Sequence, residues 1–515
     1  MAELSLRELR ELGFVSQVVG DEAVRVRGIR HDSRRCEPGD LFVAVAGAQS
    51  DGVQFVNDAI ARGAVAVLAE RPLTEAVPVA VAEDALIALS QIAQRLYDDP
   101  TSRLEVVGVT GTNGKTTITY LVEALLRADN ASPAVLGTVN FRGPFGVLNA
   151  THTTPMADDL MRLSRAAVES GASHLVLEIS SHALTMHRAD GVHFKVAAFT
   201  NLTQDHLDYH GDFAHYEAAK QRLFKELAPQ FAVINVDDAV GRKFADAFPR
   251  RVLRCSKRPG PGHDVFALHS ENTRAGIRAR VSCAGEELDL ESPLIGDHNL
   301  ENLLVALGCG AALEIPTPVM QRALREAQGA PGRLERVAHP NDVLVFVDYA
   351  HTPDALSRVL QTLRKSTSGR LIVTFGCGGD RDPTKRPIMG KAAAELADLV
   401  VLTSDNPRSE EPAAILKQIA RGVEQTSLPL LEVDVLAYSE RGYCVEPDRH
   451  AAIRLALLAA QPGDTVLIAG KGHEKVQIIG DERIAFDDVL EARKLIESGS
   501  LPSSLPPVPS GQEGS

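Results

Sequence analysis

Lys115, Glu178, His206 and Lys220 are the residues whose types and settings point to phosphate chemistry. Lys115 lies in the run Thr110-Gly111-Thr112-Asn113-Gly114-Lys115-Thr116-Thr117. An apolar stretch, 104–109, precedes it, and a helical pattern through Tyr120, Leu121, Ala124 and Leu125 follows. A buried strand, a glycine turn and a helix make a phosphate cradle. The glycines admit backbone N–H groups to an anion, and the helix N-terminus adds positive potential. Lys115 would reach terminal phosphates, and the Thr116 hydroxyl a bound Mg²⁺. The loop is a variant of the general P-loop pattern, which wants glycine where this chain has Val109.

Glu178 lies near the end of the strand-like run 174–179, which leads into Ser180-Ser181-His182, and His206 follows the run 196–200. Ligands of doubly wound sheets gather at the carboxyl ends of the strands, so both residues belong on the edge that carries Lys115. A carboxylate there is the expected second partner for an Mg²⁺ held by Thr116. A glutamate at a strand end is otherwise a solvated or helix-capping residue; the phosphate loop in the same domain favours metal binding. Lys220 falls on the apolar stripe of a helix over 216–227, four residues after Tyr216 and three before Leu223. An inward lysine either snorkels at the helix edge or is buried with a lowered pKa.

These residues need elements to position them. Residues 1–100 read as a small α/β domain, with strands at 41–45 and 65–68, a helix at 55–61, and polar turns at His31-Asp32-Ser33-Arg34 and 47–52. Residues 101–332 read as a central ATPase-like domain with a mostly parallel sheet. Within it, 296–302 opens an apolar helix running to Leu313. Asp297 or Asn299 could cap that helix, and Asn299 with Asn302 could read a base edge. Residues 333–498 read as a third, Rossmann-like α/β domain with strands at 343–347, 371–375, 399–403 and 465–469. Each ends in a polar signature. These are Asp348-Tyr349-Ala350-His351, Gly376-Cys377-Gly378-Gly379-Asp380-Arg381, Asp405-Asn406-Pro407-Arg408 and Gly470-Lys471-Gly472-His473-Glu474. Four such loops at one sheet edge point at a ligand. Residues 499–515, rich in Pro and Ser, read as a disordered tail.

Composition narrows the class. With 515 residues, 44% hydrophobic and 24% charged, the chain is ordinary globular material for about three domains. A net charge of −14 argues against nucleic-acid or anionic-membrane partners. Six scattered cysteines with no Cys-x-x-Cys, and no apolar signal core or span, are read as a cytoplasmic protein.

Assembled, these motifs resemble the Mur ligase family over nearly the whole chain. The resemblance rests on His31-Asp32-Ser33-Arg34, the phosphate loop, Thr153-Thr154-Pro155, Glu178 with Ser180-Ser181-His182, Asp205-His206-Leu207-Asp208, and the third-domain signatures. It implies an ATP-dependent ligase, working as a monomer, that adds an amino acid to the D-glutamate of UDP-MurNAc-L-Ala-D-Glu through an acyl phosphate. It also implies roles. ATP is held by Gly111, Thr112, Asn113, Gly114, Lys115, Thr116, Thr117, Asn302, Arg333 and Asp348. Mg²⁺ is held by Thr116, Glu178, His206 and Lys220, the last as a carbamate formed from CO₂. The UDP-substrate meets Ser33, Ala48, Gln49, Ser50, Thr153, Thr154, Ser180 and Arg188; here His152 and Met186 replace the commoner asparagine and glutamine. The amino acid meets Arg381, Asp405, Asn406, Pro407, Arg408, Gly470 and Glu474.

Asp405-Asn406-Pro407-Arg408 resembles the signature of members that take meso-diaminopimelate. That amino acid differs from lysine by one distal carboxylate, which a guanidinium can pair with two hydrogen bonds. Arg381 and Arg408 are the candidates for that pairing, and Glu474 for the distal ammonium. The bland reading of the same four residues is a helix-start turn. Lysine as the added residue is the nearest rival. A folylpolyglutamate synthase would lack the N-terminal domain, and a nucleotide switch would leave the third-domain loops without a task.

Overall fold

The computed structural model describes residues 3–47 and 51–498. Two expectations, the Ala48–Gln49–Ser50 substrate loop and the 499–515 tail, fall outside the described residues. The chain forms two compact units. The first takes the chain through His269 with Ala279–Leu290 and Glu301–Arg325; the second takes Ser270–Arg278, Glu291–Leu300 and the chain from Glu326 on.

In the first unit, an N-terminal sheet has the order Gln17–Val19, Val79–Val81, Ala66–Ala69, Asp40–Val43, Gly28–Arg30. The last four are parallel and Gln17–Val19 runs antiparallel. The larger sheet, of eleven strands among the described residues, has eight of them wholly within this unit. Its centre is parallel, in the order Pro133–Leu136, His174–Glu178, Glu105–Thr110, Phe194–Phe199, Phe231–Asn235, Arg251–Ser256. These strands read as near-continuous apolar runs because helices cover both faces. A hairpin, Asn140–Gly143 with Gly146–Asn149, extends one end. Register matters most. Glu178 lies opposite Val109, and Phe199 opposite Thr110, so three strands deliver their loops side by side.

The second unit is built on a six-stranded sheet, ordered Glu335–Val337, Leu344–Asp348, Thr465–Ala469, Leu371–Phe375, Leu399–Leu402, Gly442–Val445. Only Glu335–Val337 is antiparallel. Alternate residues feed two cores. Phe346, Val373 and Phe375 pack with Leu356, Leu360, Met389 and Ile419 on one face. Val345, Val347, Ile372 and Ile468 pack with Ile453, Ala456 and Leu495 on the other. The period-two alternation of a strand assigns each residue to its face.

One polar pair is sealed within this unit. Arg449 and Asp488 have side chains 0% exposed, joined at 2.8 and 2.6 Å, and Arg449 also donates to the carbonyls of Ala469 and Ser404. It thereby ties the helices Arg449–Ala459 and Asp488–Glu497 to two of the sheet-edge loops. Asp488→Ala strands the guanidinium in the core and is expected to cost about 3–5 kcal/mol. Urea unfolding reads this; a loss of about 1 kcal/mol or less would mean water already solvates the pair.

Candidate functional site

The phosphate loop leaves the strand Glu105–Thr110 and enters the helix Lys115–Ala128. Gly111 has φ +141°, and a Cβ there would lie 1.8 Å from Thr200 Oγ1. The neighbouring strand end therefore demands glycine before any phosphate does. Gly114, at φ +88°, packs so closely on Asn302 that a Cβ would meet its Oδ1 at 2.3 Å, which places Asn302 against the loop. The loop is pinned by the 200–203 segment. Thr200 Oγ1 donates to the Asn113 carbonyl (2.6 Å), Asn113 N–H donates to Asn201 Oδ1 (3.1 Å), and Thr203 N–H donates to Thr112 Oγ1 (3.0 Å).

Glu178 is 1% exposed, and its carboxylate is held on three sides. Thr116 Oγ1 (3.0 Å) and Thr138 Oγ1 (2.9 Å) donate to one oxygen, and Thr138 N–H (3.0 Å) to the other. Thr116 and Glu178 thus bring a hydroxyl and a carboxylate oxygen together, hard oxygen donors of the kind that suit Mg²⁺. Thr117 is buried in the first turn of the same helix. His206 follows the strand Phe194–Phe199, about half exposed and 3.3 Å from Asp205. It belongs to a ring cluster with His182 (4.8 Å) and Tyr216 (6.3 Å), and the Tyr216 hydroxyl lies 3.0 Å from Thr112 Oγ1 of the loop. Burial and the neighbouring histidines hold His182 down to about 4.

The two lysines meet on one carbonyl. Lys115 Nζ donates to Gly111 O (2.8 Å) and Thr112 O (2.9 Å), and Lys220 Nζ to the same Gly111 O (2.9 Å). Lys220 is 1% exposed, inside the helix Phe213–Lys225 rather than snorkelling at its edge. Burial, and then the Lys115 charge, hold its ammonium pKa well below the ordinary value. A carbamate on Lys220 keeps one N–H, enough to retain the bond to Gly111 O, so the setting fits that modification.

Of the expected UDP-substrate residues, Thr153, Thr154, Ser180 and Arg188 come together. Thr154 Oγ1 donates to Glu178 O (2.8 Å) and accepts from Ser180 N–H (3.0 Å), and Arg188 donates to Thr154 O (3.0 Å). Thr153 Oγ1 lies 3.0 Å from Thr138 Oγ1. Met186 Sδ sits 3.0 Å from Arg188 Nη2, while Arg188 Nε is buried without a partner. Ser33 is buried and directs its hydroxyl to Asp58. His31 and Arg35 flank it and bind Asp158 and Asp159 (2.8 and 2.6 Å), anchoring the turn to the helix Ala157–Glu169. Those two carboxylates are engaged by His31, Arg35 and Arg162, an ion-pair network rather than a metal cage.

In the second unit, Arg381 and Arg408 flank Gly378: a Cβ there would lie 2.9 Å from Arg408 Nη1 and 3.8 Å from Arg381 Cγ. Arg408 donates to Gly379 O (2.7 Å). The helix-start reading of 405–408 does not hold. Arg408 has φ +53° and bridges to Ile479, and the helix begins later, at Pro412. The hairpin Val476–Ile479/Glu482–Ala485 captures the backbone that a helix would have used. Asn406 donates to Glu474 (2.8 Å), and Gly470 lies against Asp405, whose carboxyl pKa is raised by burial. Pro407 O sits against Gly379. Asp348 spends both oxygens on backbone N–H groups, of Leu334 (2.7 Å) and Ala350 (2.8 Å), while Arg333 stacks on Tyr349 at 5.0 Å. Asp348 therefore shapes the loop that carries Arg333. Asn299 does not cap its helix: it lies inside Asp297–Ala312 and donates to Ile295 O (2.8 Å).

Three participants escaped the sequence reading. Thr138 follows the short apolar run that ends in Gly137, a fourth strand end at the phosphate edge. Arg386, fully buried, clamps Glu410 at 2.8 Å through both oxygens and holds its carboxyl down to about 2, and Glu410 accepts from Asp380 N–H, bracing the two arginine loops together. Lys471, inside a signature already noted, is fully buried against Asp405, Asn406 and Glu474.

Three family models match in succession: Mur ligase family, catalytic domain (residues 25–98), Mur ligase middle domain (109–310), and Mur ligase, glutamate ligase domain (332–472). UDP-N-acetylmuramoyl-L-alanyl-D-glutamate--2,6-diaminopimelate ligase of Synechococcus elongatus is 46% identical over 482 residues, covering 91% of this chain and 93% of the relative. The ligase of the same name from Gloeobacter violaceus is 44% identical, covering 92% and 94%. A solved structure of a ligase of that name is 34% identical with TM-score 0.70, covering 97% of this chain and all of that one. Folylpolyglutamate synthase of Mycobacterium tuberculosis shares the fold at 19% identity and TM-score 0.56, over 74% of this chain. Among the described residues no helix is long and apolar enough to cross a membrane.

Proposed function

The chain belongs to the Mur ligase family, and from that premise we propose that it joins meso-diaminopimelate to UDP-MurNAc-L-Ala-D-Glu at the expense of ATP. The observation that carries the chemistry is the meeting of Lys115 and Lys220 on Gly111 O, beside a carboxylate already paired with Thr116. The arginines around Gly378 and the diaminopimelate ligases among its relatives support the choice of amino acid.

In this reading the D-glutamate carboxylate attacks the ATP γ-phosphorus, the P–O bond to ADP breaks, and an acyl phosphate forms. The diaminopimelate amine then adds to the acyl carbon, and the tetrahedral adduct expels phosphate. The first step brings an anion up to a polyphosphate, so positive charge must be in place beforehand. Lys115 supplies one charge, aimed by the Gly111 and Thr112 carbonyls. Thr116, Glu178, His206 and the Lys220 carbamate would hold Mg²⁺, which neutralises charge on the phosphates. Thr154, Ser180 and Arg188 orient the UDP-substrate; Asn302 serves ATP from beside the phosphate loop, and in the second unit Arg333, on the loop that Asp348 shapes, serves the adenosine. Substrate labelled with ¹⁸O in the D-glutamate carboxylate tests the route. One label should appear in the released phosphate; unlabelled phosphate would contradict the acyl-phosphate step.

A further inference from the structure

We propose that Lys471 is the positioning residue of the amino-acid pocket: it sets affinity for the diamino acid by locking Asn406 and Glu474 without touching the substrate. The inference rests on the reading of 405–408 and Glu474 as that pocket.

Lys471 follows the strand Thr465–Ala469 between two glycines, and its side chain is 0% exposed. An ammonium has three donors and no acceptor. Here it donates to Asn406 Oδ1 at 3.0 Å and Glu474 Oε2 at 3.3 Å, with Asp405 Oδ1 at 3.8 Å. Asn406 is thereby fixed in one orientation. Its Oδ1 accepts from Lys471 and from Ile478 N–H (3.0 Å), and its Nδ2 donates to Glu474 Oε2 (2.8 Å). A flipped amide would set its NH₂ against an ammonium and a backbone N–H. Glu474 Oε2 is likewise held by two donors, which leaves Oε1 as the oxygen to meet a ligand.

The charges give the same result. Two carboxylates, Asp405 and Glu474, face the single Lys471 ammonium, so acceptor capacity is left over for one distal ammonium. A buried ammonium is poor value for stability alone, since apolar groups of similar volume often do as well. Its worth here lies in presenting two neighbours in a single geometry, with no side-chain rearrangement when the ligand arrives.

Lys471→Met keeps the stem and removes the charge. Steady-state kinetics should show KM for meso-diaminopimelate raised about tenfold or more, with kcat at saturation, and KM for ATP and for the UDP-substrate, within about threefold of wild type. Lys471→Met combined with Glu474→Gln should raise that KM no further than Glu474→Gln alone, because both act at one point. Unchanged diaminopimelate KM, an equal loss in every parameter, or additive effects in the pair would overturn the assignment. Should Lys471→Met fail to fold, Asn406→Ser breaks the same lock. It must then show the selective rise in KM, and its absence overturns the proposal. Wild type is assayed beside them. Failure of wild type to use diaminopimelate overturns the underlying reading; wild-type turnover with an unshifted variant overturns Lys471 alone.

Discussion

Lys220→Ala lowers the ligation rate by about three orders of magnitude or more, the scale expected when a charge-stabilising group is removed from a water-excluded phosphoryl-transfer site. The expectation comes from burial. A lysine 1% exposed, sharing a carbonyl with Lys115, is held with its ammonium pKa well below the ordinary value. A depressed amine pKa raises the share of free base at any given pH, and the free base is the form that attacks CO₂. The N–C bond forms, a proton leaves, and an anion replaces a repelled cation beside Lys115. Carbamylation should therefore weaken as pH falls and the amine protonates, and added bicarbonate should shift the acid limb of activity downward. A ¹³C-bicarbonate carbamate signal present in wild type and absent in Lys220→Ala identifies the modification. Loss of activity with no such signal in wild type would leave Lys220 acting as an ammonium.

Arg408→Ala lowers kcat/KM for meso-diaminopimelate by about 10²–10⁴, the scale of losing one partner of a buried charge pair, and abolishes preference over L-lysine, because no unpaired guanidinium then penalises the analogue without the carboxylate. Arg408→Lys should recover little, since an ammonium cannot reproduce the planar fork that pairs a carboxylate. The loop is expected to survive either change. Its backbone is held by Ile478 and Gly480 and by the Arg386–Glu410 clamp, none of which uses the Arg408 side chain. Position 408 sits at φ +53°, a cost that Arg408 already bears through its own Cβ, so alanine adds little strain there. A variant that keeps its preference for diaminopimelate would move the carboxylate-binding role to Arg381.

The parallel strands that carry the phosphate loop, Glu178 and the third-domain signatures were legible because each is a short apolar run ending in glycine or a polar cluster, whereas Pro133–Leu136, Phe231–Asn235 and Gly442–Val445 were not read. The expected run 371–375 and the observed Leu371–Phe375 coincide. The edge hairpins were not: Gly146–Asn149 and Glu482–Ala485 are exposed along their length, and an exposed strand carries no buried face to read. Glu178 and Lys220 could be singled out from position alone, at a strand end and on an apolar stripe. Thr138, Lys471 and the Arg386–Glu410 clamp could not. Each acts by holding another residue, and that role depends on which loops the sheet order brings together.

The most direct test is phosphate release from ATP in the presence of UDP-MurNAc-L-Ala-D-Glu, with meso-diaminopimelate and L-lysine supplied in parallel at equal concentration. The account predicts release with diaminopimelate and little with lysine. Release with lysine alone would contradict the arginine pocket, and ATP turnover independent of either amino acid would contradict the ligase itself.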